Sequence, residues 1–159
     1  MDNIYNFLKE TDPEVYVVAS NDTIPVGCLS RWDSGTKTAK LLGAVTNGKT
    51  FIGVSQGAYP VTSNIDNVTG LVPSILIKQT GLFNFKTTPS ESYVHALPVV
   101  MGADEQTIRL AIIGGQTPDS ADDYIGYVWL PSGVTITGAT GVTCPIKIRQ
   151  NVPDPKLAS

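Results

Sequence analysis

Short apolar runs interrupted by turn-forming residues fill most of this sequence, and this pattern restricts the chain to folds built from short strands. Residues 15–19 are followed by Asn21-Asp22 and Pro25, and residues 28–32 are followed by Asp33-Ser34-Gly35. Glycine, proline, asparagine and aspartate at such points let the chain reverse direction. About ten such runs at hairpin spacing predict an all-β fold, either a small β-barrel or a β-sandwich.

Alternation of apolar and polar residues supports this prediction. Phe83 and Phe85 alternate with polar neighbours, and Ile146 and Ile148 do the same near the end of the chain. Side chains of a strand point alternately to its two faces, so this period is typical of a half-buried strand.

The dipeptide Asn47-Gly48 is the strongest local turn signal. It separates two apolar runs, residues 41–45 and residues 50–54. Both central positions of a tight two-residue hairpin favour positive φ, which asparagine and glycine tolerate. The sequence therefore predicts that these two runs pair with each other.

A weak internal echo relates Phe51-Ile52-Gly53 to Tyr124-Ile125-Gly126. Each triplet combines an aromatic residue, an isoleucine and a glycine, and glycine inside a strand usually marks a bulge or a close backbone approach. We interpret the two triplets as equivalent bends of a closed barrel, with a chance match as the alternative.

The composition agrees with strands and turns and argues against some partners. Charged residues make up 16% of the chain, against roughly 25% in an average soluble domain. The net charge is −3 and the lysines and arginines are scattered, so we expect no direct binding to nucleic acid. No apolar run approaches the roughly 18 residues of a membrane span, and the N-terminus lacks a signal-peptide pattern. We therefore expect synthesis in the cytoplasm and no membrane association.

A chain of 159 residues is expected to form one domain and is too short for two independent cores. The sequence suggests three parts: an N-terminal arm with the first strand (1–20), a β domain (21–150) and an extended C-terminal tail (151–159).

The N-terminal arm contains the one helical pattern in the sequence. Ile4, Phe7 and Leu8 have the spacing of a helix face, and the pattern stops by Asp12-Pro13. A helix of at most about two turns is marginal alone, so we expect an arm, helical or extended, that packs on its own barrel or on a neighbouring subunit.

The sequence offers little for catalysis. His95 is the single histidine, and no partner for it lies at the spacing of a catalytic or metal-binding motif. Zinc, phosphate-loop and serine-hydrolase signatures do not occur in the sequence. We therefore expect no enzyme activity, no cofactor and no metal centre. Cys28 and Cys144 are expected to be buried thiols, with a disulfide or a shared metal as the alternatives.

Two segments, residues 59–73 and 114–123, are longer and more polar than hairpins require, and such loops tend to carry contacts. The second contains Asp119, Asp122 and Asp123. Their oxygens either bind a cation such as Ca²⁺ or simply keep a turn soluble.

The two tryptophans are predicted to lie in different environments. Trp129 follows an apolar run and is expected in the core, whereas Trp32 stands beside Arg31 and Asp33 at a turn and is expected to be exposed. An exposed Trp32 could stack on a sugar or contact a partner. Packing beneath a hairpin is the alternative.

Several segments taken together resemble the DUF2190 family of bacteriophage capsid decoration (cement) proteins. The motifs are TIPVG at 23–27, GAV at 43–45 leading to FIGVS at 51–55, LIKQTGLFNF at 76–85, DYIGYV at 123–128 and IKIR at 146–149. The chain departs from the family pattern at Leu97-Pro98, where a Gly-Asp pair is usual, and by its added N-terminal stretch.

The resemblance implies a structural virion protein that binds the major capsid protein on the outer surface of a tailed-phage head. Such proteins stabilise the shell, often as homotrimers, so the expected location is the virion. The candidate capsid or subunit contacts are apolar residues near the two chain ends and two aromatic residues: Ile4, Tyr5, Phe7, Leu8, Trp32, Tyr59, Val152 and Leu157.

Two other functions remain open. A carbohydrate-binding or tail-associated adhesion module of a phage particle would use Trp32 or Tyr59 for stacking. A hydrolase or metal-dependent enzyme would instead combine His95 with Asp119 or Asp123.

Overall fold

The computed structural model describes residues 14–19, 23–43, 51–58, 74–112, 117, 119 and 123–148. Its strands are β1 (Glu14–Val17), β2 (Leu29–Asp33), β3 (Thr38–Leu41), β4 (Phe51–Ala58), β5 (Ser74–Lys78), β6 (Gly81–Thr87), β7 (Ser92–Val94), β8 (Pro98–Met101), β9 (Thr107–Leu110), β10 (Gly126–Val128), β11 (Thr135–Thr137) and β12 (Thr143–Ile148). The predicted all-β fold is confirmed.

The strands form two five-stranded units and one small sheet. The first unit has the order β1-β5-β4-β2-β3, and a parallel bridge between Val18 and Ala39 connects its two edges. The second is a closed barrel with the order β10-β12-β6-β9-β8, and β7 pairs with β11 outside it. We call the two units the first and second barrel.

The two barrels share one topology. Strands β6, β12, β10, β8 and β9 take the places of β1, β5, β4, β2 and β3 in the same order. The parallel contact between Val18 and Ala39 corresponds to the parallel pairing of Thr87 with Ile108. The residue numbers of these matched positions differ by 69, as in Val18 and Thr87. The described part of the chain therefore contains two tandem copies of one five-stranded unit.

Gly53 and Gly126 occupy matching places in this repeat. Gly53 lies beside Lys78 of β5 and Gly126 lies beside Lys147 of β12. A Cβ atom at either glycine would clash with the carbonyl oxygen of that lysine. The two glycines therefore occupy equivalent places in the repeat, and the close backbone approach is the physical reason for glycine at both.

Each barrel contributes its own cluster of buried side chains. Tyr16, Trp32 and Ile52 belong to the cluster of the first barrel, and Phe85 and Ile146 belong to that of the second. The buried side chains of the described residues therefore form two clusters and not one. Five short strands wrapped into a barrel enclose a core within about 65 residues, which is near the lower limit for a domain.

The two barrels are joined by apolar burial and hydrogen bonds. Four buried residues of the first barrel belong to the second barrel's cluster: Leu29, Leu42, Phe51 and Val54. The N–H of Leu29 donates to the Glu105 carbonyl oxygen at 2.9 Å, and the N–H of Gly43 donates to the Glu105 carboxylate at 3.1 Å. A register shift between β2 and β4 lets Ile52 face one cluster and Val54 the other.

The turn predictions had different outcomes. Strands β2 and β3 form the hairpin predicted around Asp33-Ser34-Gly35, and the Asp33 carboxylate accepts hydrogen bonds from the N–H groups of Gly35 and Thr36. The hairpin predicted around Asn47-Gly48 is wrong, because β3 and β4 lie on opposite sides of β2. Long-range pairing with β2 overrode the local turn signal. Asn47-Gly48 itself lies outside the described residues.

Gly53→Ala and Gly126→Ala are each expected to lower the free energy of unfolding by about 2–4 kcal/mol, because the added methyl group must displace a paired strand. Chemical denaturation measures this change. Gly141→Ala is the matched control: its Cβ would meet no atom within 4 Å, so the substitution carries only the strain of a positive φ, about 1 kcal/mol. Equal losses in all three variants would contradict the close-approach argument.

Candidate partner-binding surface

The two tryptophans lie in the reverse of their predicted environments. Trp32 is 6% exposed and packs in the first barrel, with its ring 5.9 Å from that of Tyr16. Trp129 is 46% exposed. Trp32 lies within β2, where alternate side chains point inward, and the neighbours of Trp129, Val128 and Leu130, are the buried ones. The prediction of an exposed Trp32 and a buried Trp129 is therefore wrong.

Trp129 is held in place by charged and aromatic neighbours. The ring of His95 meets it edge-on, with centroids 4.9 Å apart, and the Lys147 ammonium lies 4.4 Å from its centroid. Its backbone N–H donates to the Pro145 carbonyl oxygen at 3.0 Å. A cation over an aromatic ring and an edge-on ring contact both restrict the indole, so it is exposed but oriented.

Further apolar side chains extend this exposed area. Val94 is 37% exposed, Val134 is 43% exposed, and Leu82, which lies directly opposite Lys147 on the neighbouring strand β6, is 55% exposed. We call the whole surface the Trp129 patch. It comprises Leu82, Val94, His95, Trp129, Val134 and Lys147.

A shallow groove opens beside the patch. It has a volume of about 410 Å³ and is lined by Val94, His95 and residues 130–135. The His95 Nδ1 accepts a hydrogen bond from the Leu130 N–H at 3.3 Å, so the imidazole ring lies fixed at the edge of the groove.

Strands β7 and β11 carry one side of this surface and are an addition to the five-stranded repeat. Tyr93 of β7 anchors them to the second barrel. Its buried hydroxyl lies 3.1 Å from the Ile108 carbonyl oxygen and 2.8 Å from the Glu91 carboxylate, and it accepts a hydrogen bond from the Thr88 N–H at 3.1 Å. Burial raises the pKa of this phenol above its usual value.

His95 and Asp119 have different partners: His95 contacts Trp129 and the Leu130 N–H, whereas Asp119 pairs with Arg109. The two terminal guanidinium nitrogens of Arg109 donate to the Asp119 carboxylate at 2.6 and 2.9 Å, and this hydrogen-bonded pairing lowers the pKa of Asp119. Asp122 lies outside the described residues. Within the described part of the chain, no three His, Cys, Asp or Glu side chains lie close enough to hold a metal ion.

The cysteines agree with their prediction. Cys28 and Cys144 are both free and buried. Burial raises the pKa of the Cys144 thiol to about 11 and also raises that of Cys28. The remaining predicted contacts lie outside the described residues and stay predictions: Ile4, Tyr5, Phe7, Leu8, Tyr59, Val152 and Leu157.

No protein-family model matches the sequence, and a search of curated proteins found no match. The resemblance to phage decoration proteins therefore stays a prediction from the motifs. Over the ranges that the structure describes, no helix has the length and apolar character needed to cross a bilayer.

Tyr93→Phe is expected to lower the free energy of unfolding by about 1–3 kcal/mol, because it leaves the partly buried Thr88 N–H without its acceptor and leaves the Glu91 carboxylate with the Leu110 N–H in place of two donors. Thermal or denaturant unfolding measures this loss. Ser92→Ala, at the exposed neighbouring position on the same strand, is expected to have little effect. A Tyr93 variant as stable as the Ser92 variant would show that the phenol does not anchor β7.

Proposed function

We propose that this chain is a head-decoration (cement) protein, which binds the outer capsid surface of a tailed bacteriophage and stabilises the shell without catalysing a reaction. The observation that carries the proposal is the Trp129 patch. Exposed apolar side chains that form one continuous area on a folded domain mark surfaces that other proteins cover.

The chemistry of the patch fits a protein partner. An exposed but oriented tryptophan loses little conformational entropy on binding, and tryptophan is enriched among the residues that dominate protein interfaces. Lys147 and His95 border the indole with polar groups, which gives an apolar centre and a polar rim. The groove beside Val134 adds a concave site for a protruding side chain of the capsid.

The scaffold supports the same proposal. Buried side chains shared between the barrels join them through an apolar interface, and Tyr93 ties the added sheet to the second barrel. A stiff module loses little entropy when it docks, and many copies on one lattice convert weak single contacts into firm attachment. Assembly as homotrimers and contacts from the two chain ends are the parts of the proposal that rest on the motifs alone.

The second candidate is a carbohydrate-binding or tail-associated adhesion module. One observation favours it: an exposed indole beside polar groups is suited to stacking against a sugar ring. The residue that would do so is Trp129, because Trp32 is buried.

Trp129→Ala is expected to weaken binding to shells assembled without this protein by about tenfold or more, since a central tryptophan often contributes at least 2 kcal/mol. Co-sedimentation with shells made from the major capsid protein of the same phage measures this. Val134→Ser should weaken binding to a smaller extent.

Val26→Ser is the matched control, because Val26 is 63% exposed but lies in the segment before β2 and is not one of the patch residues. If Val26→Ser and Trp129→Ala bind equally well, the patch is not the docking surface. Wild-type binding on a glycan array that Trp129→Ala abolishes, without any binding to shells, would favour the adhesion module.

Removal of residues 1–10 is expected to weaken shell binding while the circular dichroism spectrum stays that of a β protein. The triple variant Ile4→Ser, Phe7→Ser, Leu8→Ser keeps the length of the arm and should reproduce the loss, because apolar contacts are the proposed contribution. Full binding by both variants would remove the arm from the proposal and leave the Trp129 patch as the contact.

A further inference from the structure

A second, smaller cavity lies on the first barrel and is separate from the proposed capsid contact. It has a volume of about 250 Å³ and is lined by Thr23, Ile24, Arg31, Lys40 and Leu41. Ile24 is buried and Leu41 is partly buried, so the cavity has an apolar floor with a hydroxyl and two cationic groups around it.

The two cations face each other across neighbouring strands. Arg31 of β2 is directly opposite Lys40 of β3, and like charges in this position repel each other. The Asp33 carboxylate lies 2.8 Å from the Lys40 ammonium and 3.9 Å from the Arg31 guanidinium. Its hydrogen bond with Lys40 is the main reason that the pKa of Asp33 is lowered to about 2. Among the described residues the cavity therefore has two positive charges against one negative charge.

The second barrel has a pair of positions that matches Arg31 and Lys40. Arg109 of β9 matches Lys40 of β3, and it is opposite Val100 just as Lys40 is opposite Arg31. At this pair of positions the second barrel thus has one cation, Arg109. Its guanidinium makes a bidentate contact with the Asp119 carboxylate, at 2.6 and 2.9 Å. In the second barrel a carboxylate from outside the strands therefore pairs with the cation, whereas in the first barrel Asp33 of β2 pairs with Lys40 and Arg31 is a further cation.

We propose that the cavity between Thr23, Arg31 and Lys40 binds a carboxylate on a short aliphatic stem, supplied by a molecule other than this chain. The Arg31 guanidinium offers paired donors that match a carboxylate, and the Lys40 ammonium adds a point charge. The Thr23 hydroxyl can donate to the same group. Ile24 and Leu41 cover the methylene groups of the stem, which separates this ligand from inorganic anions.

The ligand chemistry is that of a free dicarboxylic acid or of an acidic side chain on a partner protein. The cavity volume of about 250 Å³ corresponds to roughly eight water molecules at about 30 Å³ each, so it admits a small acid or a single side chain. The inference does not depend on the proposed capsid role, because its residues lie on β2, β3 and the segment before them, whereas the Trp129 patch lies on the second barrel.

Amide chemical shifts of the isotope-labelled full chain test the proposal. Titration with glutarate is expected to shift the amides of Thr23, Arg31 and Lys40 with millimolar affinity, and glutaramide, which lacks the charges, should shift none of them. A capped Ala-Glu-Ala peptide identifies the source: tighter binding than glutarate indicates an acidic side chain, and weaker binding indicates a free acid. Equal shifts with glutaramide, or none with either carboxylate, would overturn the proposal.

Substitutions test the role of charge. Arg31→Gln is expected to weaken glutarate binding about five- to tenfold, and Asp33→Asn to strengthen it about fivefold, because the competing carboxylate is removed. The asparagine keeps an oxygen that can accept from Gly35 and Thr36, so the turn is retained. Lys37→Gln, an exposed lysine in the same turn, is the control and should not change the affinity.

Two outcomes of this series would overturn the proposal. If Lys37→Gln and Arg31→Gln weaken glutarate binding equally, the binding reflects the general positive charge of this region and not a specific site. Binding that occurs only after Asp22→Asn would mean that the chain supplies its own carboxylate and that no external ligand is needed.

Discussion

The apolar junction between the two barrels holds the described structure together. Leu29, Leu42, Phe51 and Val54 lie on the outside of the first barrel, yet they are buried in the cluster of the second. A five-stranded barrel of this size is marginal alone, because little of its surface is removed from water. Each barrel therefore gains stability from the other. The same junction fixes the relation between the cationic cavity on one barrel and the Trp129 patch on the other.

Local patterns predicted the strands well, because alternation of apolar and polar residues directly reflects the two faces of a sheet. The order of strands could not be predicted in the same way. Asn47-Gly48 is a strong turn signal, but β3 and β4 pair with β2 and not with each other. The repeat was visible only as two short triplets around Gly53 and Gly126, since most matched positions share a strand environment and not a residue type.

The candidate sites were harder to predict than the fold. Sequence reasoning assigned Trp129 to the core because it ends an apolar run, although its buried neighbours Val128 and Leu130 have the alternation that places Trp129 outside. Arg31 and Lys40 are nine positions apart, and only the register of β2 with β3 shows that they face each other. Charges that meet across strands leave no signature in a single sequence unless the pairing is known.

The contrast between the two tryptophans makes the protein its own optical probe. The chain has two tryptophans, and each barrel carries one of them: Trp32 buried in the first, Trp129 half in water on the second. Indole emission shifts to longer wavelength as its surroundings become more polar. The blue part of the fluorescence spectrum thus belongs to the interior of one repeat and the red part to the surface of the other. Unfolding of the first barrel and binding of a partner to the second barrel can therefore be followed separately in one fluorescence experiment.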